Sequence, residues 1–447
     1  MARSAIMRAA VAAAAVATAA AALPVRSPAP TPAPTQAPPA SCSGSFNTLP
    51  VYTGAPVLNA TVPNGARYIG GNGTDTFNVV HLYGSPYEMG YAHGSLFRDD
   101  IPAGLAAFYT WVGGQVQTVV PWLPAWLADL VAEVGMPIAL EWTFNNTVPF
   151  TPPAYVDEML GIAAGAGVAA QDIFNINMVA ELIKAQCTIL GANGNATVYG
   201  PLAGGLAHLR TLDGMGGATM PIKDYATVFV YHPPTGPAVA NFAWLTFIGT
   251  VTGMSQTVTV GEKYWNGQND SIMSVAGEPW TLVNRDLLAA GSLDDALAAL
   301  AAANRTCAVM LGLGDVASGE FRGAQVAADA YQLFSWNTAP PYPQHPSLPG
   351  VVYWDKYSQP SNDSCLADLL GQYYGALDLD LYATTIAPLA QTGDLHAAFF
   401  DPAGMVAYYA NAQKTYATDG GLYAYQRQFT RLDMAALFAT PPPALIV

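Results

Sequence analysis

Glu181-Leu182-Ile183-Lys184-Ala185-Gln186-Cys187-Thr188-Ile189-Leu190-Gly191 marks the point at which the chain changes character. Upstream, over residues 86–183, apolar residues recur at helical spacing between Pro and Gly breaks, as in 122–134 and 155–164, and predict a mainly helical region. Downstream, the runs 187–190, 205–212, 225–231, 238–247 and 257–260 are short, β-branched or aromatic, and bounded by Gly and Pro. Those are strands. One hairpin turns at Pro233-Pro234-Thr235-Gly236 and another at Asp401-Pro402-Ala403-Gly404. Between them Ser292, with Asp295 three residues on, opens a helix that runs through an Ala/Leu stretch to near Asn304. Helices, then strands, a helical middle and strands again predict an α+β layered sandwich rather than alternating βαβ units. The switch at Cys187 reads as a domain boundary or as a processing site.

The 447 residues are 52% apolar and only 11% charged, enough for a large core and far from the composition of a disordered chain. The net charge of −15, with no Lys/Arg cluster, argues against a nucleic-acid partner or an anionic membrane held by phosphate contacts.

Residues 1–23 carry Arg3 and Arg8 ahead of an Ala/Val run that ends at small residues, the pattern of a secretory signal peptide. Residues 24–45 read as a Pro-rich leader, extended rather than packed. A mainly helical segment, 46–186, and a strand-rich segment, 187–447, follow. Seven N-x-[ST] sequons, at Asn59, Asn72, Asn145, Asn195, Asn269, Asn304 and Asn362, fit an exported glycoprotein, secreted or lysosomal. Of four cysteines, Cys307 and Cys365 flank one segment and are candidates for a bridge, which leaves Cys42 and Cys187 single.

The six histidines are scattered, with no HExxH, HxH or CxxC, so no metal and no cofactor is expected. Gly312 and Gly314, in Gly312-Leu313-Gly314-Asp315, lack the Walker Lys and read as turns. No G-x-S-x-G occurs, and Ser255 in Gly253-Met254-Ser255 has no following Gly. The remaining nucleophile candidate is Cys187, against the alternative of an inert buried thiol.

The string Pro86-Tyr87-Glu88-Met89-Gly90-Tyr91-Ala92-His93-Gly94-Ser95-Leu96 resembles the G-x-x-x-G-x-x-H-G element of the C45 acyltransferase/hydrolase family of N-terminal nucleophile (Ntn) hydrolases. Relatives of that family include isopenicillin N acyltransferase, acid ceramidase and the bile-salt and penicillin V amidases. Further matches follow in order: Cys187-Thr188, Arg210-Thr211-Leu212-Asp213, Gly277-Glu278-Pro279-Trp280, Val352-Tyr353-Trp354-Asp355-Lys356 and Asp394-Leu395-His396. Together they span roughly residues 80–435.

The resemblance implies a four-layer αββα core and a precursor cut by its own nucleophile at Gln186–Cys187, whose two chains stay associated. An N-terminal Cys carries thiol and base together, because its freed α-amine titrates near about 7.7–8.0. The resemblance further implies that Asp213 binds that amine, that Arg210 pairs with Asp213 and holds the thiolate, and that the Asn337 amide contributes to the oxyanion hole. Plain alternation puts Arg210 and Asp213 on opposite faces of one strand, so a bend near Thr211 is expected. Asn337 also reads as a turn residue, and His93 as structural. Thr211 stands where the family commonly has Asn, and Ser255 stands where it often has another Asn.

The reading that results is an exported amidohydrolase or acyltransferase that cleaves a linear amide, with a lipid amide suggested by the resemblance, through a Cys thioester. Aromatic stretches at 108–111 and 122–130 would wall its acyl pocket. Three rivals stand beside it: a phospholipase B-like lipid esterase, a non-catalytic glycoprotein with the same fold, and a papain-like pair of Cys187 with His208.

Overall fold

Hairpins in series, rather than βαβ units, organise the strands. The computed structural model describes residues 36–119, 125–182, 185–214, 221–265, 273–340, 342–412 and 423–444, and its strands fall into two sheets. The larger sheet has the spatial order β1 (Val57–Val62), β2 (Gly65–Gly70), β3 (Phe77–Tyr83), β6 (Ala226–His232), β7 (Val239–Trp244), β8 (Thr252–Ser255), β9 (Val258–Tyr264), β10 (Val309–Asp315), β11 (Phe321–Val326) and β12 (Tyr331–Phe334). The smaller one runs β13 (Val351–Trp354), β4 (Gln186–Ala192), β5 (Ala207–Asp213), β14 (His396–Asp401), β15 (Val406–Asn411) and β16 (Thr430–Asp433). Neighbours are antiparallel except β3 and β6, which pair in parallel.

The larger sheet carries helices on its outer face: α1 (Pro86–Leu96), α2 (Asp100–Val119), α3 (Ala125–Val134), α4 (Met136–Thr147), α5 (Pro153–Ala166), α6 (Ala170–Leu182), α7 (Trp280–Leu288) and α8 (Leu293–Ala302). In that layer α1 lies on β2 and β3, α7 on β8 and β9, and α8 on β10. Its inner face meets the smaller sheet, with β4 against β9 and β10, and β5 against β9. Beyond the smaller sheet, α9 (Cys365–Gln372) and the helical stretch 379–389 bury Leu366, Leu369, Tyr382 and Ile386 against Leu190, Leu209 and Phe399. The layers are therefore α, β, β, α, an α+β sandwich as the element order predicts and with the four layers that the resemblance implies.

The glycine-bearing string at residues 86–96 has a packing reason. A Cβ at Gly90 would sit 2.0 Å from the Glu158 carbonyl oxygen, and one at Gly161 would sit 2.3 Å from that of Tyr87, so α1 and α5 cross backbone to backbone. Ser85 and Glu88 close a capping box at the start of α1. The predicted cap of α8 is present, with Ser292 Oγ accepting from the Asp295 amide at 3.1 Å.

Several expectations are corrected. Gly312 and Gly314 are not turns but lie inside β10, where a Cβ at Gly312 would meet Ile189 Cγ2 at 2.5 Å. Their role is to let the two sheets approach. The 46–186 segment contributes β1–β3 to the larger sheet as well as helices, so that sheet is built from residues on both sides of Cys187. Cys307 forms no disulfide, its Sγ donating to Glu181 Oε2 at 3.1 Å, and Cys365 bridges to Cys42.

The end of the leader is packed rather than extended away: Ser41 Oγ donates to Asp368 Oδ2 at 2.6 Å, and the Gly44 amide donates to the Leu389 carbonyl at 3.2 Å. The signal peptide and residues 24–35 lie outside the described residues, as does the Asn269 sequon. The six other sequon asparagines are exposed.

The bridge closes a loop with a sequence separation of 323, so Cys42→Ser is expected to lower stability by about 2–4 kcal/mol in denaturant unfolding. A non-reducing peptide map should join the Cys42 and Cys365 peptides. A Cys307–Cys365 link would contradict this arrangement.

Candidate active site

Cys187 is the second residue of β4 and lies directly across from Leu212 on β5. Side chains opposite each other in a ladder share a face, and positions two apart on a strand do too, so Cys187, Leu212 and Arg210 all point between the sheets. There Arg210 Nη2 lies 3.1 Å from Cys187 Sγ, with both residues fully buried. The same guanidinium crosses to the larger sheet, donating from Nε to the Glu262 carbonyl at 3.0 Å and from Nη2 to Glu262 Oε2 at 3.2 Å. An unpaired charge at this depth would be prohibitively costly, and the Glu262 carboxylate supplies the compensating partner. Burial pushes the Cys187 thiol up to about 12, while Arg210 works against that shift, so it is a protonated thiol at neutral pH.

Arg210 and Asp213 do not pair. Strand β5 runs unbroken from Ala207 to Asp213, without the expected bend, and alternation sends the two side chains to opposite faces. Asp213 lies instead in a cluster of threonines. It accepts from Thr392 Oγ1 at 2.6 Å, the Gly393 amide at 2.6 Å and the Asp394 amide at 3.3 Å. Thr392 also bonds Thr188 at 2.7 Å and Thr211 at 2.6 Å. Burial raises the Asp213 carboxyl, opposed by the charge of Lys356 and by these hydrogen bonds. Its register partner is Gln186, which sets Asp213 beside the Gln186–Cys187 peptide.

Two other candidates are not brought to the thiol. Asn337 is exposed, its Oδ1 accepts from Ser335 Oγ at 2.6 Å, and it lines a polar surface pocket with Gly191 and Asn193. That is the far end of β4, about 13 Å along the strand from Cys187 at about 3.3 Å per residue. His208 lies on the Cys187 face but four residues from Leu212, and its Nδ1 bonds Thr259 Oγ1 at 2.8 Å. That geometry leaves no Cys187–His208 pair. His93 is buried between α1 and β6, where its Nε2 accepts from the Thr246 amide at 3.3 Å and burial lowers its pKa to about 3. It is placed as a structural residue.

An apolar cavity of about 100 Å³ is lined by Phe108, Leu212, Trp244, Tyr264 and Trp280, with Arg210 and Glu262 as its charged wall; Cys187 does not itself line it but touches it through Arg210. Of the stretch 108–111 Phe108 lines this cavity and Tyr109, Thr110 and Trp111 do not, whereas residues 122–124 lie outside the described residues. Glu262 and Lys263 are site residues that motif reasoning missed. Their signal was available in Val258-Thr259-Val260-Gly261-Glu262-Lys263-Tyr264, where two adjacent charges interrupt an apolar strand. Among the described residues no group of three His, Cys, Asp or Glu could hold a metal ion, and no helix is long and apolar enough to cross a membrane.

No family model matches the chain. Protein dcd1A of Dictyostelium discoideum is 34% identical over 427 residues, which cover 89% of this chain and 94% of that protein. The chain belongs to the dcd1 family. Protein dcd1B of the same organism is also 34% identical, over 414 residues covering 88% of this chain and 81% of that one. Among solved structures, a Caenorhabditis elegans ortholog of N-acylethanolamine-hydrolyzing acid amidase aligns at TM-score 0.36 and 12% identity, over 48% of this dcd1-family chain and 93% of its own. Penicillin V acylase from Agrobacterium tumefaciens aligns at TM-score 0.31 and 9% identity, over 51% and 83% of the two chains. A conjugated bile acid hydrolase from Clostridium perfringens aligns at 0.29 and 12%, over 56% and 92%. Likenesses this distant carry no activity across.

Glu262→Ala would leave the Arg210 guanidinium buried without its counter-charge, which is expected to cost about 3–5 kcal/mol in denaturant unfolding. A loss below about 1 kcal/mol, the size of an exposed pair, would contradict the buried bridge.

Proposed function

We propose that this dcd1-family protein is an exported Ntn-type cysteine amidohydrolase or acyltransferase that cuts its own chain before Cys187. It then cleaves a linear amide, with a lipid-like acyl group, through a thioester on that residue. The observation that carries the reading is the buried contact of Arg210 with Cys187 at the head of β4, in an αββα core and beside an apolar cavity. Arg210 supplies fixed positive charge where a thiolate develops, and the cavity offers an acyl chain an apolar berth.

In the uncut chain the thiol has no α-amine and is held protonated by burial. Cleavage of Gln186–Cys187 would free that amine on the strand paired with Asp213, giving the thiol a base of its own. The bridge of Cys42 to Cys365 and the exposed sequons support passage through an oxidising secretory compartment. Secretion or delivery to a lysosome belongs to the same proposal.

The amide and the ester readings separate in one experiment. Given an N-acyl amide and an acyl ester of the same chain length, the mature protein should turn over the amide. An acid-quenched digest should then carry the acyl mass on the peptide beginning at Cys187, and Cys187→Ala should lack both. Turnover of the ester alone would assign the phospholipase B-like reading. Absence of acylated Cys187 with either substrate would overturn the nucleophile assignment.

A further inference from the structure

Lys263 is 1% exposed, and its Nζ has no hydrogen-bond partner among the described residues. Burying an ammonium without a partner costs several kcal/mol, so such a group marks a site whose chemistry needs it. Its place follows from the packing of the two sheets. A Cβ at Gly314 would touch Leu206, one at Gly312 would touch Ile189, and one at Gly261 would touch Arg210 and His208. Moving from Gly314 to Gly312 along β10 therefore moves from the far end of β4 and β5 towards Cys187. One further step on the same face reaches Met310, whose ladder partner is Lys263, and the matching step from Ile189 on β4 reaches Cys187.

Most other candidates for a base are occupied or turned away, and His396, whose ring nitrogens have no hydrogen-bond partner among the described residues, lies two strands from Cys187 across Leu212, about 10 Å at about 4.8 Å per strand. Asp213 faces the threonine cluster and accepts from Thr392 and two amides. Glu262 is paired with Arg210. Asp355 is held by Ser361 Oγ at 2.6 Å and by His345 at 3.3 Å. His208 bonds Thr259.

We infer that Lys263 accepts the Cys187 thiol proton in the cut at Gln186–Cys187, acting as the base before any α-amine exists. The inference rests on the self-cleavage reading above. The S–H bond breaks and its proton passes to Lys263 Nζ, while the sulfur adds to the Gln186 carbonyl carbon. The C–N bond then breaks, and the leaving nitrogen of Cys187 takes the proton back from Lys263. Solvent water hydrolyses the resulting thioester, which leaves the Gln186 carboxyl group and restores the thiol beneath a free α-amine. Burial lowers the Lys263 pKa, with Cys187, Asp355, Asp213 and Glu262 opposing in that order. A base must be deprotonated, so the cleavage rate should rise with pH through that lowered value and then level off.

The test follows conversion of freshly folded full-length precursor into two chains on reducing gels across pH, for wild type, Lys263→Met, Lys263→Gln and Lys263→Arg. Thermal denaturation confirms that each variant is folded. The Met and Gln variants should cleave at least about 100-fold more slowly and lose the pH-dependent limb. Arg should fail to rescue, because its guanidinium stays protonated. Folded Met and Gln variants that cleave at the wild-type rate, or rescue by Arg, would overturn the role of Lys263 while leaving self-cleavage standing. A wild-type precursor that remains one chain at every pH would remove both.

Discussion

Arg210 is the side chain on which the rest of the site depends. It leaves the smaller sheet, touches the Cys187 sulfur, and ends on both the backbone and the carboxylate of Glu262 in the larger sheet. A single guanidinium therefore fixes how the two sheets face each other and what charge the cysteine meets. The contact requires a close approach of sheet to sheet, which Gly261 and Gly312 permit because neither carries a Cβ to collide with Arg210 or Ile189. Larger residues at either position would push the sheets apart where the ion pair has to close.

The same arrangement explains how the thiol is kept quiet. Water is excluded, so burial outweighs the pull of Arg210 and the sulfur keeps its proton. A cut before Cys187 would change that balance by adding a base at the strand's first residue. Such a cut would not release either part. The parallel pairing of β3 with β6 and the bridge from Cys42 to Cys365 both connect residues on either side of the bond. One link is a ladder of hydrogen bonds and the other is covalent, so the two chains would separate only on reduction and unfolding together.

Much of this was legible in the sequence where the signals are local. The change from helical spacing to short β-branched runs at Cys187, the cap at Ser292 and the hairpin turns each depend on residues a few positions apart. The failures have a common physical origin in long-range packing. Glycines inside β10 read as turns because a glycine in a strand looks the same whether it bends the chain or admits another sheet. Arg210 was assigned Asp213, three residues away, although strand alternation argued against it; its partner came from the opposite sheet. Asn337 follows a short edge strand whose location no periodicity specifies. The pairing of Cys42 with Cys365 spans nearly the whole fold, and spacing carries no information about it. Among the first three strands, β1 lies at a sheet edge with largely exposed side chains and β3 is buried along its whole length, so neither carries the alternation that marks a half-buried strand.

The central claim is that Cys187 is a nucleophile that becomes the first residue of its own chain. The most direct measurement is the intact mass and N-terminal sequence of the reduced, deglycosylated protein, beside the Cys187→Ala variant. The account predicts two chains, one beginning Cys187-Thr188-Ile189, and a single uncut chain in the variant. A single chain in both, or cleavage that persists without the thiol, would contradict it.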